Sequence, residues 1–223
     1  MSPRAPQAAV EPFTGFPEEA LDFYEGLEAD NSKAYWNDHR EVYDRAVAAP
    51  MRSLLAALAP RFGTPKFFRP YRDVRFSKDK TPYKTHAGAV VAEPGRAAFY
   101  VQVDADGLLA AGGYWHCTTE HARALRAAVA DDASGPTVVR VVNRLRREGF
   151  EIGGDQLKRI PKPWDDTHLR ADLLRQKALT GSVHHPPAEW LHTPAALDRV
   201  TEAWTSLTPL NRWLERYVPR EER

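Results

Sequence analysis

Apolar positions recur at helical spacing through about the first sixty residues and at strand-like spacing afterwards. Phe16-Pro17-Glu18-Glu19 opens a first helix, with proline where a missing N–H does no harm and acids at the positive helix start. Ala20, Leu21, Tyr24 and Leu27 form its stripe. Asp30-Asn31-Ser32 caps a second helix lined by Tyr35, His39, Val42, Tyr43 and Ala46. Pro50 opens a third, with Leu54, Leu55 and Leu58 inward and Gly63 as its stop. Residues 86–93, 97–104 and 108–116 then read as three strands, separated by turns at Glu93-Pro94-Gly95 and 104–107, and so as an antiparallel meander. Gly112-Gly113 inside the third predicts a bulge or a close backbone approach.

Further along, Thr118 or Thr119 caps a helix with Ala122, Leu125 and Val129 inward, and Pro136 opens another with Val138, Val141, Val142 and Leu145. Residues 150–152 suit a short strand, 153–154 a turn, 157–164 an irregular basic segment, 167–176 a short helix and 178–184 a strand. Thr193-Pro194 and Thr208-Pro209 each read as a cap plus first helical residue, giving two C-terminal helices. The predicted fold class is α+β: N-terminal helices, then an antiparallel meander packed by further helices. Residues 12–218 are expected to form one domain, with 1–11 a disordered leader and 219–223 a tail.

Composition narrows the setting. With 43% hydrophobic residues in 223, the chain can bury a core without staples. The single Cys117 excludes an internal disulfide and suggests a reducing, cytoplasmic location. No apolar run is long enough to span a bilayer, so no membrane partner is expected. The net charge of +1 argues against a nucleic-acid coat.

Against that balance, residues 66–86 hold seven Lys or Arg and only Asp73 and Asp79 as acids. Lys66, Arg69, Arg72, Arg75 and Lys78 fall every third residue, and Pro65, Pro70 and Pro82 disfavour a helix. The economical reading is an irregular approach over 66–71, a strand over 72–77, a turn at 79–82 and a strand from Lys84. Burying an unpaired ion costs several kcal/mol, so these cations cannot all be core. Acids elsewhere pair them, or solvent does, or a bound anion completes the charge balance. In the anion reading Arg69, Arg72, Arg75, Lys78, Lys80 and Lys84 form a cradle, with Tyr83 or Tyr71 as a hydrogen-bonding wall. Aromatics among the cations could stack on bases, but they suit a core better, and nucleic acid is not the expected partner.

Asp73 and Asp79 are the candidate carboxylates for acid–base or orienting work, and flanking cations should keep both ionised. His116, Cys117, Glu120 and His121 match no common zinc spacing, so neither a metal nor a cofactor is expected. No glycine-rich phosphate loop, nucleophile elbow or paired-cysteine motif occurs.

The run from Arg69 through Arg72-Asp73, Arg75-Phe76, Asp79-Lys80 and Pro82-Tyr83-Lys84-Thr85 resembles the hallmark of a bacterial family, domain-of-unknown-function family 2461. Phe13-Thr-Gly15-Phe16, Asn31-Ser-Lys-Ala-Tyr35-Trp36, Gly112-Gly113-Tyr114 and Leu157-Lys158-Arg159-Ile-Pro161 are similar to other family passages. Ser32 stands where the family has a second Asn, and Trp36 where it has Phe. The resemblance spans about residues 12–216 and carries no catalytic assignment. It implies that the hallmark and residues 157–161 share one site or scaffold, bringing Lys158, Arg159 and Lys177 to the same basic patch. Three functions stay open: a binder of a phosphorylated or other anionic small ligand, an enzyme acting on such a ligand through Asp73 or Asp79, and a non-catalytic scaffold whose hallmark is an internal salt-bridge network.

Overall fold

The computed structural model describes residues 11–75, 78–93, 96–154 and 156–218. Most of the expected leader, the tail, the end of the expected 72–77 strand and the Pro94-Gly95 turn lie outside them.

Six antiparallel strands carry the molecule: β1 (Thr64–Phe67), β2 (His86–Ala92), β3 (Ala98–Asp104), β4 (Gly107–Tyr114), β5 (Glu151–Gly153) and β6 (Leu179–His185). Their order in the sheet is β1-β2-β3-β4-β6-β5. Helices precede and follow the meander, so the fold is α+β, as its periodicities predict.

Alternation along β2 and β3 decides which side of the sheet faces the core. Ala87, Ala89 and Val91 pair with Val103, Val101 and Phe99, and all six are buried. The other side presents His86 opposite Asp104, Gly88 opposite Gln102 and Val90 opposite Tyr100. Such a two-sided pattern is what an antiparallel sheet with one solvated face produces. The tight β3–β4 turn needs Gly107 at φ +122°, where an added Cβ would sit 2.2 Å from the His185 carbonyl oxygen. The close approach expected at Gly112-Gly113 is real: a Cβ on Gly113 would lie 2.3 Å from the Leu179 carbonyl oxygen of β6.

The N-terminal helices are α1 (Glu19–Ala29), α2 (Lys33–Asp38), α3 (Arg40–Val42) and α4 (Ala49–Phe62), with a π-helical turn at Tyr43–Ala48. Ser32 caps α2 by accepting from the Tyr35 amide at 3.1 Å. The predicted gap before Pro50 is instead this widened turn, in which the Ala49 amide reaches back to the Asp44 carbonyl. A proline cannot supply the next regular bond, and the chain absorbs that without breaking the helix. Later come α5 (Thr119–Ala130), α6 (Gly135–Arg147), α7 (Ala171–Leu174) and α8 (Ala195–Tyr217). The expected 167–176 helix shrinks to α7 because Asp165 accepts from the Thr167 amide and hydroxyl, a local alternative to helical bonding.

Two C-terminal helices are predicted where the protein has one. Thr208 does not cap a new helix; its hydroxyl donates to the Trp204 carbonyl at 2.8 Å, and α8 runs on through Pro209. An interior proline costs about 3 kcal/mol. Trp204, Leu207, Leu210 and Leu214 are fully buried on both sides of it, each worth about 1.5–3 kcal/mol. Keeping one straight stripe wins. Trp204 stacks on Phe99 with centroids 5.2 Å apart and meets Phe62 edge-on at 5.2 Å, joining α8, β3 and α4.

Candidate functional site

Among the described residues, the basic stretch does not form the expected strand pair. Its first residues make β1, with Lys66 opposite Val90, and the chain then leaves the sheet as a loop. A bridge between Tyr71 and Tyr83 closes the loop at its neck. There the Arg72 amide donates to the Pro82 carbonyl at 2.9 Å and the Lys84 amide to the Pro70 carbonyl at 2.8 Å. The prolines explain why pairing stops: Pro70 and Pro82 can accept but have no N–H to donate.

What anchors the neck is aromatic and amide contact with α2. The Tyr83 ring, 5% exposed, lies flat on Trp36 with centroids 4.4 Å apart and planes 9° off parallel. Asn31 Nδ2 donates to the Tyr83 carbonyl, and the Tyr83 amide donates back to Asn31 Oδ1. Tyr83 is therefore a packing residue, whereas Tyr71, 43% exposed, is the ring that solvent reaches.

Beyond the neck the loop satisfies much of its own charge. Arg72 pairs with Asp79 at 2.5 Å and also donates to the Thr81 hydroxyl. Asp79 accepts from the Thr81 amide at 2.9 Å and the Thr81 hydroxyl at 2.8 Å. Those bonds, then Arg72, hold the Asp79 carboxyl below its usual range. Asp73 is likewise lowered by hydrogen bonds from Arg75 and, less, by the charge of Arg69. Lys80 donates to the Val74 carbonyl at 2.9 Å. These pairs are solvent-exposed and lie within the loop. Of the acids of the N-terminal helices, Glu19 pairs with Arg45 and Asp44 with Arg40.

Two cations at the neck are different. Among the described residues, neither Arg69 nor Lys84 has an ion-pair partner. Lys84 is half-buried, its ammonium 5.2 Å above the Phe68 ring. Burial and the nearby Arg69 charge push its pKa down. Next along β2 comes His86, also half-buried, whose pKa is lowered by burial, by Lys84 and by Arg72, against an opposing pull from Asp104. The imidazole is therefore neutral at neutral pH. Along the same side of β3, Tyr100 donates to Gln102 at 2.7 Å and Gln102 to Asp104 at 2.6 Å. Burial and then Asp104 push the Tyr100 pKa up to about 12.

The structure thus groups Arg72, Asp73, Arg75, Asp79 and Lys80 in one loop and sets Arg69 and Lys84 at its base, Lys84 near His86. Lys78 is exposed on the loop. Lys158 is exposed elsewhere: its segment follows β5, where Gln156 bridges Gln176 and the Leu157 amide donates to the Arg175 carbonyl. In the strand order β5 is four spacings from β2, about 19 Å. Among the described residues, the side chains of the two basic segments share no ion pair. His86, Gln102, Asp104 and Asn31 were not singled out from the sequence. Strand alternation carries a signal for the first three, since all lie on the side opposite the alanines and valines. Asn31 reads there only as a cap.

Among the described residues, no group of three His, Cys, Asp or Glu could hold a metal ion, and no helix is long and apolar enough to cross a membrane. The model of a family of conserved hypothetical proteins, domain-of-unknown-function family 2461, matches residues 19–213, so the chain belongs to that family. No curated protein matches it.

Proposed function

We propose that this family member binds a small anion, of phosphate-monoester type, at Arg69, Arg72, Lys84 and His86. The observation that carries the reading is Lys84: a half-buried ammonium beside Arg69, with no carboxylate pairing either. A half-buried ammonium without a counter-charge is costly, and a bound anion relieves that cost, with the exposed Arg69 beside it adding positive charge. Arg72 keeps one edge of its guanidinium on Asp79 and Thr81, which fixes its position beside the group.

The test is thermal shift and calorimetry with inorganic phosphate, nucleotides and sugar phosphates. Stabilisation of the wild type, lost in Arg69→Ala with Lys84→Ala and kept in Arg75→Ala, is the expected result. If no anion stabilises the protein, the hallmark loop is a structural element, held by its internal pairs and by Asn31.

An enzyme acting on the bound anion is the second reading. Asp73 and Asp79 are held ionised by hydrogen bonds within the loop, which suits orienting roles. A neutral His86 facing Asp104 across the β2–β3 pair suits proton transfer. Turnover of an aryl phosphate that falls far more in His86→Gln than phosphate affinity does supports it; equal turnover in the variant ends it.

A further inference from the structure

A cleft of about 450 Å³ lies between the end of α4, the start of β3 and the middle of α8, and none of its walls comes from the basic loop. That volume falls in the range of small-molecule sites. Its lining includes the apolar Phe62, whose ring lies 5.2 Å from the Arg61 guanidinium, and Phe99. Its charges are unequally matched. Glu215 is occupied, pairing with Arg96 at 3.2 Å and accepting from the Ala97 amide at 3.2 Å. Arg61 donates to the Thr205 hydroxyl at 2.9 Å but meets no carboxylate, and Arg212 has no ion pair among the described residues. Glu93, in the same lining, has no ion pair among the described residues.

A buried amide supplies an independent sign of incompleteness. Asn211 lines the cleft and is 3% exposed, yet its Oδ1 has no partner and its Nδ2 reaches the Ala98 carbonyl only at 3.4 Å. Buried side-chain oxygens are nearly always satisfied. Pro209, also in the wall, has no N–H to give the Thr205 carbonyl one turn back, so the helix offers a further acceptor there.

Two guanidiniums without carboxylates and one carboxylate without an ion pair among the described residues, with an aromatic lining, complement a single kind of ligand. We propose that this cleft binds a small zwitterion, a free amino acid or dipeptide with an apolar side chain. Arg61 and Arg212 take its carboxylate, Glu93 its ammonium, and Phe62 and Phe99 its side chain. This site is independent of the anion site at Lys84.

Calorimetric titration of the full chain with L-leucine, Leu-Leu, N-acetyl-leucine and leucinamide tests it, with amide resonances of Ala97, Phe99 and Thr205 followed by NMR. Leucine or Leu-Leu should bind saturably. Acetylation, which removes the ammonium, and amidation, which removes the carboxylate, should each weaken binding about tenfold or more, the value of one charge-assisted contact. Arg212→Ala and Glu93→Gln change exposed side chains and should fold normally. Each should lose affinity about tenfold for Leu-Leu, while Lys84→Ala leaves it unchanged. No saturable binding up to about 10 mM, or equal affinity for the acetylated and amidated forms, overturns the assignment.

Discussion

Asn31 holds the backbone of Tyr83 through both functions of its amide, donating to the carbonyl and accepting from the N–H, each at 3.1 Å. Together with the stacking of Trp36 on Tyr83, this pair of bonds connects the N-terminal segment to the basic loop. Asn31→Ala leaves two partly buried backbone groups unpaired and should cost about 1–3 kcal/mol in chemical denaturation. Asn31→Asp can accept but not donate, so it should recover only part of the loss. Amide exchange at Tyr83 and Lys84 should quicken in both variants.

Asp79 and Asp73 should respond differently to neutralisation. Asp79 organises the Thr81 amide, the Thr81 hydroxyl and Arg72 together, so Asp79→Asn should shift the resonances of all three and loosen the loop. Asp73 accepts from Arg75, within its own corner of the loop. Asp73→Asn should leave the neck intact and, by removing a negative charge near Arg69, tighten phosphate binding about two- to threefold at low salt, an effect that high salt erases.

His86 sets a pH dependence whose sign is fixed. Its native pKa is depressed, chiefly by burial, so the unfolded chain binds a proton that the native imidazole resists. The associated stability is whole above the unfolded value of about 6.5 and is lost as pH falls through that value towards the native one. His185, lowered by burial and then by Arg199 and His184, acts in the same direction. Melting temperatures between pH 8 and pH 5 should therefore decline less in His86→Gln and His185→Gln. A bound anion favours imidazolium, so the ratio of phosphate affinity in wild type to that in His86→Gln should rise as pH falls over the same interval, the titration of phosphate itself being common to both.

Gly181 makes room for α8. A Cβ there would meet Leu207 Cδ2 at 2.7 Å, so Gly181→Ala should destabilise by about 1–3 kcal/mol through overpacking. Leu207→Ala alone empties a fully buried site and should cost about 2–5 kcal/mol. Together the two should cost clearly less than their sum, because the new methyl fills part of the space the leucine leaves. Unfolding midpoints of the four proteins measure that coupling.

The helices and the meander are legible because their signals are repeated: a stripe such as Val138, Val142 and Leu145 states its period several times, and Pro136 marks its start. The loop is misread as a strand for the opposite reason. Whether residues 72–75 pair with anything depends on Asn31 and Trp36, some forty positions away. Pro209 misleads because local chemistry there favours a helix start, and only the burial of Trp204 and Leu210 on either side overrules it. Charge density locates the basic region correctly, but it cannot say which cations spend their charge on neighbours. Arg75 and Lys84 look alike in sequence; Asp73 beside one and Arg69 beside the other distinguish them.

The position of β6 between β4 and β5 has a consequence in time. β2, β3 and β4 follow one another through short connections and can close as a hairpin pair while the chain is still being made. β5, although it is synthesised before β6, has no strand to lie against until residues 179–185 arrive. That arrival must also bring residue 185 back to residue 108. Until then the growing chain carries the bare edge of β4 and a strand without a partner, the interval in which it is most exposed to misassociation.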